Sequence, residues 1–212
     1  MNFKGVIFDL DGVLCFTDRY HYRAWKALAD RLGIYFDEKI NDRLRGVSRA
    51  ASLEIILEGS ERVYSQEEKE RFAAEKNETY RALLKDMAPA DVSASVRDTL
   101  VRLREAGVLL AVGSSSKNTP LILEKTDLKR YFDAVSDGNN VTRSKPDPEV
   151  FLKAAEYLGL QPADCLIVED AEAGIEAGVA GGFRTAGLGE ASGYPKTNYR
   201  LEQFSDLLKI VL

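Results

Sequence analysis

Three short apolar runs in this chain each end abruptly at acidic or hydroxyl side chains, and that repeated placement constrains the fold more than any other feature. Val6-Ile7-Phe8 runs into Asp9 and Asp11, residues 109–112 run into Gly113 and Ser114, and residues 165–168 run into Glu169 and Asp170. A short, wholly apolar run bounded in this way reads as a strand buried on both faces. Weaker strands are expected at residues 184–188 and 134–135. Helical spacing fills the gaps, with Val96, Leu100 and Leu103 on one face and Phe151, Ala154, Ala155 and Leu158 on another. Asp147 is placed to cap the second helix with Pro148 at its first position, and Gly107 and Gly159 stand where helices stop. Strands alternating with helices from Ser93 onward imply right-handed βαβ units, hence an α/β fold with a Rossmann-like, doubly wound parallel sheet.

Between the first strand and Ser93 the pattern changes to helical periodicity with no convincing strand, which predicts an inserted all-helical cap. Tyr22, Trp25, Leu28, Ala29 and Leu32 form one helix face that Gly33 can end, and Ser65 with Glu68 makes a capping box for a long polar helix towards Met87. We expect a catalytic core of residues 1–15 and 93–212 and a cap of residues 16–92 that sets substrate specificity. Such an insert would stand over the carboxyl edge of the sheet, where open α/β sheets bind ligands.

In that sheet the strand ends are neighbours, so Asp9, Asp11, Ser114, Glu169 and Asp170 should converge on one crevice, with Lys145 reaching it from the loop Ser144-Lys145-Pro146. Four carboxylates at close quarters call for a cation, and an all-oxygen site suits Mg2+. The chemistry that fits is phosphoryl transfer, with Asp9 as nucleophile, Asp11 exchanging protons with the leaving group, and Ser114 and Lys145 holding phosphate oxygens. Taken singly, Asp-x-Asp-Gly is a common turn and Glu169-Asp170 a plausible helix cap; their shared position at strand ends favours the site.

The formal charge of -5, with no basic run interleaved with aromatics, excludes a nucleic-acid footprint. No apolar run approaches the ~18 residues of a membrane span. Cys15 and Cys165 are too few for a disulfide framework, and the first residues carry no leader pattern, so a cytoplasmic protein is expected.

The run Phe8-Asp9-Leu10-Asp11-Gly12-Val13, followed by Ser114, Lys145-Pro146 and Glu169-Asp170, resembles the four ordered motifs of the haloacid dehalogenase superfamily, over the whole chain. That resemblance implies Mg2+ held by Asp9, Asp11, Glu169 and Asp170, with Asp11 ligating through its backbone carbonyl. The cap is similar to that of the β-phosphoglucomutase family through His21, Ala24-Trp25-Lys26-Ala27-Leu28, Gly46-Val47-Ser48-Arg49, Ser52-Leu53 and Lys76-Asn77, and the likeness continues from Ser114 through Ser115, Ser116 and Lys117 to Asn118. It implies a monomer that interconverts β-D-glucose 1-phosphate and glucose 6-phosphate, with the sugar phosphate bound by Thr17, His21, Trp25, Gly46, Val47, Arg49, Ser52, Lys76, Ser115, Ser116, Lys117 and Asn118. Within this set Arg49 would hold the phosphate that is not transferred, helped by Ser116, Lys117 and Asn118. From the residues alone, His21, Arg49 and Lys76 read equally well as packed or solvated helix residues, and Trp25 as cap core. One departure stands out, Phe16 where the family usually has Asp. A sugar-phosphate phosphatase and a non-catalytic binding protein remain the alternative readings.

Overall fold

A computed structural model describes residues 3–44 and 47–212. Six parallel strands form one sheet in the order β3-β2-β1-β4-β5-β6. These are β1 (Gly5–Phe8), β2 (Leu109–Gly113), β3 (Ala134–Ser136), β4 (Cys165–Glu169), β5 (Arg184–Gly187) and β6 (Tyr199–Arg200). Five of these lie where the apolar runs place them. The sixth carries no sequence signal, being a two-residue edge strand paired to β5.

Period-two alternation explains why the central strands are apolar throughout. Val6, Phe8, Leu110, Val112, Leu166 and Val168 belong to a cluster on one side of the sheet, whereas Ile7, Ala111, Cys165 and Ile167 belong to another on the opposite side. The first is covered by Leu100 and Leu103 of α5 (Ala94–Glu105), Ile122 and Leu123 of α6 (Thr119–Lys125), and Leu207 and Val211 of α9 (Leu207–Val211). The second is covered by Phe151, Ala154 and Ala155 of α7 (Glu149–Leu158) and Ala177 of α8 (Glu172–Ala180). Each large apolar side chain so buried contributes ~1.5–3 kcal/mol. Gly159 ends α7 as expected, but the helix starts at Glu149: Pro148 is its cap residue, and Asp147 Oδ1 accepts the Glu149 N–H at 3.0 Å.

The chain between β1 and α5 forms α1 (Asp18–Leu32), α2 (Glu38–Asp42), α3 (Arg49–Leu57) and α4 (Gln66–Leu84), with no strand among the described residues. Trp25, Leu28, Ala29, Ile34, Leu53, Ile56 and Phe72 make a separate core for this helical insertion. The separation is incomplete. Tyr20 and Ala24 of α1 and Tyr80 and Leu84 of α4 join the sheet's own cluster. The two long helices therefore carry two apolar faces each and run from the insertion's core onto the sheet's core. No helix among the described residues is long and apolar enough to cross a membrane.

The Ser65 hydroxyl accepts from the Glu68 N–H at 3.2 Å, while Glu68 Oε2 accepts from the Ser65 N–H at 2.9 Å, closing the expected capping box at the start of α4. Ser65→Ala should cost about 1 kcal/mol and lower the melting temperature by roughly 2–4 °C. Calorimetric melting checks this; an unchanged transition would mean that the first turn of α4 lies outside the cooperative unit.

Candidate active site

Register brings the polar strand ends level. Phe8 is paired with both Val112 and Val168, so Asp9, Gly113 and Glu169 follow side by side at the carboxyl edge. Lys145 joins them from the loop before α7, through a cis Lys145-Pro146 bond. Its ammonium donates to Asp9 Oδ1 and to Glu169 Oε1, the latter at 2.5 Å, and lies 4.7 Å from the centre of the Phe151 ring. Burial alone would depress its pKa, but the two carboxylates outweigh that and raise it. Glu169 is tied on its other side as well, since Oε2 accepts from the N–H groups of Asp170 and Ala171.

Asp9, Glu169 and Asp170 each offer a carboxylate oxygen within 4.8 Å of the others. Burial, then the charges of Asp9 and Glu169, push Asp170 up to about 8. Such a group repels its own ionisation, and hard oxygen donors crowded in this way fit a small divalent cation. The Asp11 carboxylate lies outside the group of three. It accepts from the Thr17 hydroxyl, and burial, with Asp9 beside it, pushes it up to about 6 against the effect of that bond. A metal ion would thus meet the side chains of Asp9, Glu169 and Asp170, leaving the Asp11 side chain for other work.

Two glycines make this geometry possible, Gly12 of the Asp-x-Asp-Gly turn and Gly174, which sequence reading passed over. Gly12 has φ +91, and a Cβ there would lie 1.9 Å from Asp170 Oδ2. A Cβ on Gly174, in the first turn of α8, would lie 1.9 Å from the Glu169 carboxyl group. The spacing Glu-Asp-x-x-x-Gly was the available signal for the second.

Every candidate site residue among the described ones lines a single cavity of about 960 Å³ between sheet edge and insertion: Asp9, Asp11, Ser114, Lys145, Glu169 and Asp170, with Thr17, His21, Trp25, Val47, Arg49, Ser52, Lys76, Ser115, Ser116, Lys117 and Asn118. Gly46 lies outside the described residues. Phe16 also lines the cavity and is 71% exposed. On the insertion side the charge is reversed. Lys76 is only 2% exposed, its ammonium lies 4.6 Å from the ring centres of both Trp25 and Tyr80, and it meets His21 Nδ1 at 2.9 Å. Burial, then the nearby Arg49 charge, lowers Lys76 to about 7; burial and the Lys76 charge hold His21 well below its usual value; burial lowers Arg49. Tyr80, four residues after Lys76 and absent from the sequence reading, packs its ring 4.1 Å from His21.

Comparison with known proteins places this geometry. A family model described as haloacid dehalogenase-like hydrolase matches residues 3–182. The chain is 39% identical over 206 residues to a β-phosphoglucomutase of Bacillus subtilis, covering 96% of this chain and 91% of that one. It is 32% identical to a phosphorylated carbohydrates phosphatase of Thermotoga maritima, covering 85% and 82% of the two chains. Among solved structures, a β-phosphoglucomutase from Clostridium difficile superposes with a TM-score of 0.90 at 35% identity, over 97% of this chain and 93% of that one.

The raised acids carry a pH signature. Asp170 is near 8 folded and ~3.9 unfolded, so between those values the folded state binds more protons, and stability must fall as pH rises through the window. The cation-free protein should lose melting temperature from about pH 5 to about pH 8, and magnesium should raise it more at the upper end than at the lower. Equal shifts at both ends would contradict a cation held by these acids.

Proposed function

Because the chain belongs to the haloacid dehalogenase-like hydrolase family, we propose that it interconverts β-D-glucose 1-phosphate and glucose 6-phosphate through a phosphorylated Asp9 and a glucose 1,6-bisphosphate intermediate. The observation that carries this reading is the 39% identity over 96% of the chain, which spans the helical insertion as well as the sheet. It is supported by charge. One cavity receives Lys145 from the core and Arg49 and Lys76 from the insertion, and a bisphosphate needs cations for two phosphates. We take residues 1–15 and 93–212 as the catalytic core and 16–92 as the cap.

Asp9, Glu169 and Asp170 would hold Mg2+, which as a Lewis acid would spread the charge on a transferring phosphoryl group. Lys145 fixes the rotation of the Asp9 carboxylate and, with the Ser114 hydroxyl, offers donors to the phosphoryl oxygens. A carboxylate oxygen of Asp9 attacks phosphorus, forming an acyl phosphate as the phosphorus–oxygen bond to the leaving group breaks. Asp11, near 6 and so able to carry a proton close to neutrality, protonates the departing oxygen. In the return step it takes the proton from the sugar hydroxyl that attacks the aspartyl phosphate. Thr17, hydrogen-bonded to Asp11, holds that carboxyl in place. Arg49 and Lys76, with Ser116, Lys117 and Asn118, hold the phosphate that is not transferred, while His21, Trp25, Val47 and Ser52 shape the space for the sugar.

The 32% identity to a carbohydrate phosphatase supports a second reading, release of phosphate to water from the same acyl phosphate. Incubation with magnesium and β-glucose 1-phosphate, with and without a trace of glucose 1,6-bisphosphate, separates them. Bisphosphate-stimulated formation of glucose 6-phosphate is expected; steady release of inorganic phosphate without isomerised sugar would favour the phosphatase. Asp9→Asn should abolish both products with little change in melting temperature, and retained turnover would defeat the mechanism. Arg49→Ala should reduce isomerisation far more than attack on acetyl phosphate, which has no distal phosphate to clamp. Equal losses in the two assays would remove Arg49 from that role.

A further inference from the structure

Helix α4 reaches the loop between β2 and α6 through an uninterrupted chain of polar side chains. Arg81 Nη1 donates to Asn118 Oδ1 at 3.4 Å, and Asn118 Nδ2 donates to Asn77 Oδ1 at 2.9 Å. Asn77 and Asn118 line the cavity, whereas Arg81 is exposed and does not. A guanidinium has five donors and no acceptor, so the Asn118 atom that faces it must be the oxygen. That choice turns the Asn118 nitrogen to Asn77, and Asn77 must answer with its own oxygen. One N–H of Asn118 and the nitrogen of Asn77 then remain for the cavity. Without the arginine the pair could exchange roles at no cost in hydrogen bonds, with Asn77 donating to Asn118. The cavity would then meet the Asn77 oxygen instead of its nitrogen, which is repulsive to an anion.

We infer that Arg81 is a positioning residue for phosphate: from outside the cavity it sets the polarity of the Asn118–Asn77 amide pair so that donors, not acceptors, face the bound phosphate group. This rests on the proposed function in one respect, that a phosphate of the ligand lies against Asn118.

The test is calorimetric titration of the magnesium-loaded protein with glucose 6-phosphate in about 0.5 M salt, where the distant field of an exposed charge is screened. Arg81→Lys keeps a donor-only group and should bind within about threefold of wild type. Arg81→Met frees the pair and should weaken binding about tenfold, the equivalent of one ordinary hydrogen bond. Arg81→Glu offers only acceptors, should lock the reversed polarity, and should weaken binding further than Arg81→Met. Melting temperatures and attack on acetyl phosphate should stay near wild type in all three. Affinities equal across the series, or Arg81→Lys as weak as Arg81→Met, would overturn the inference alone. A wild-type protein that binds no glucose 6-phosphate would overturn it together with the functional reading.

Discussion

The Lys145 ammonium, shared between Asp9 and Glu169, is the contact on which the rest of the site depends. Parallel strands deliver their last residues to one edge whether or not those residues tolerate each other, and here β1 and β4 deliver buried acids. Isolated carboxylates in that position would take up protons or force the edge apart. A cation on a neighbouring loop opposes what burial does to Glu169, drawing down the pKa that burial raises, and because Lys145 is 5% exposed the attraction is little weakened by water. Its position in turn depends on the start of α7, where Glu149 accepts from the Thr142 and Arg143 N–H groups and from the Thr142 hydroxyl. Those three bonds fold the loop that aims the lysine. Charge at the strand ends is thus underwritten by the backbone at a helix start.

Across the cavity the imbalance has the opposite sign. Lys76, His21 and Arg49 are all shifted towards their neutral forms by burial, as Asp170 and Asp11 are shifted towards theirs. Neither wall is electrostatically satisfied by its own residues. An anion with a divalent cation would relieve both at once, and a neutral ligand would relieve neither. Aromatic faces soften the cationic side, where the ammonium of Lys76 sits against Trp25 and Tyr80.

Much of this was legible in the sequence because it depends on local rules. Apolar runs that stop at Asp9, Ser114 and Glu169 show both the strand and its functional end, and the Ser65–Glu68 box marks a helix start through two reciprocal hydrogen bonds. What escaped depends on partners distant in the chain. Tyr199–Arg200 is a strand only because β5 pairs with it. Tyr20 and Tyr80 lie on helices of the insertion, yet they belong to the sheet's apolar cluster. Arg81 looks like any solvated helix arginine until Asn118 is found beside it. The turn of Asp11 towards Thr17 is a rotamer choice that no pattern of residue types records.

The placement of β1 at the middle of the sheet also bears on how the protein is made. A nascent chain emerges from the ribosome in sequence order, so this strand is made before either of the strands it pairs with. Its two neighbours are Leu109–Gly113 and Cys165–Glu169. The helical insertion, with an apolar cluster drawn from its own residues, has what it needs to condense while synthesis continues. The strand that bears Asp9 must wait, apolar on both faces, until the chain has been extended past Glu169. Non-local pairing of this kind is slow because loop closure precedes any gain in contacts. During translation β1 therefore precedes both of its neighbours and gains the second only when β4 has been made, and its exposure to chaperones over that interval is built into the order of the strands.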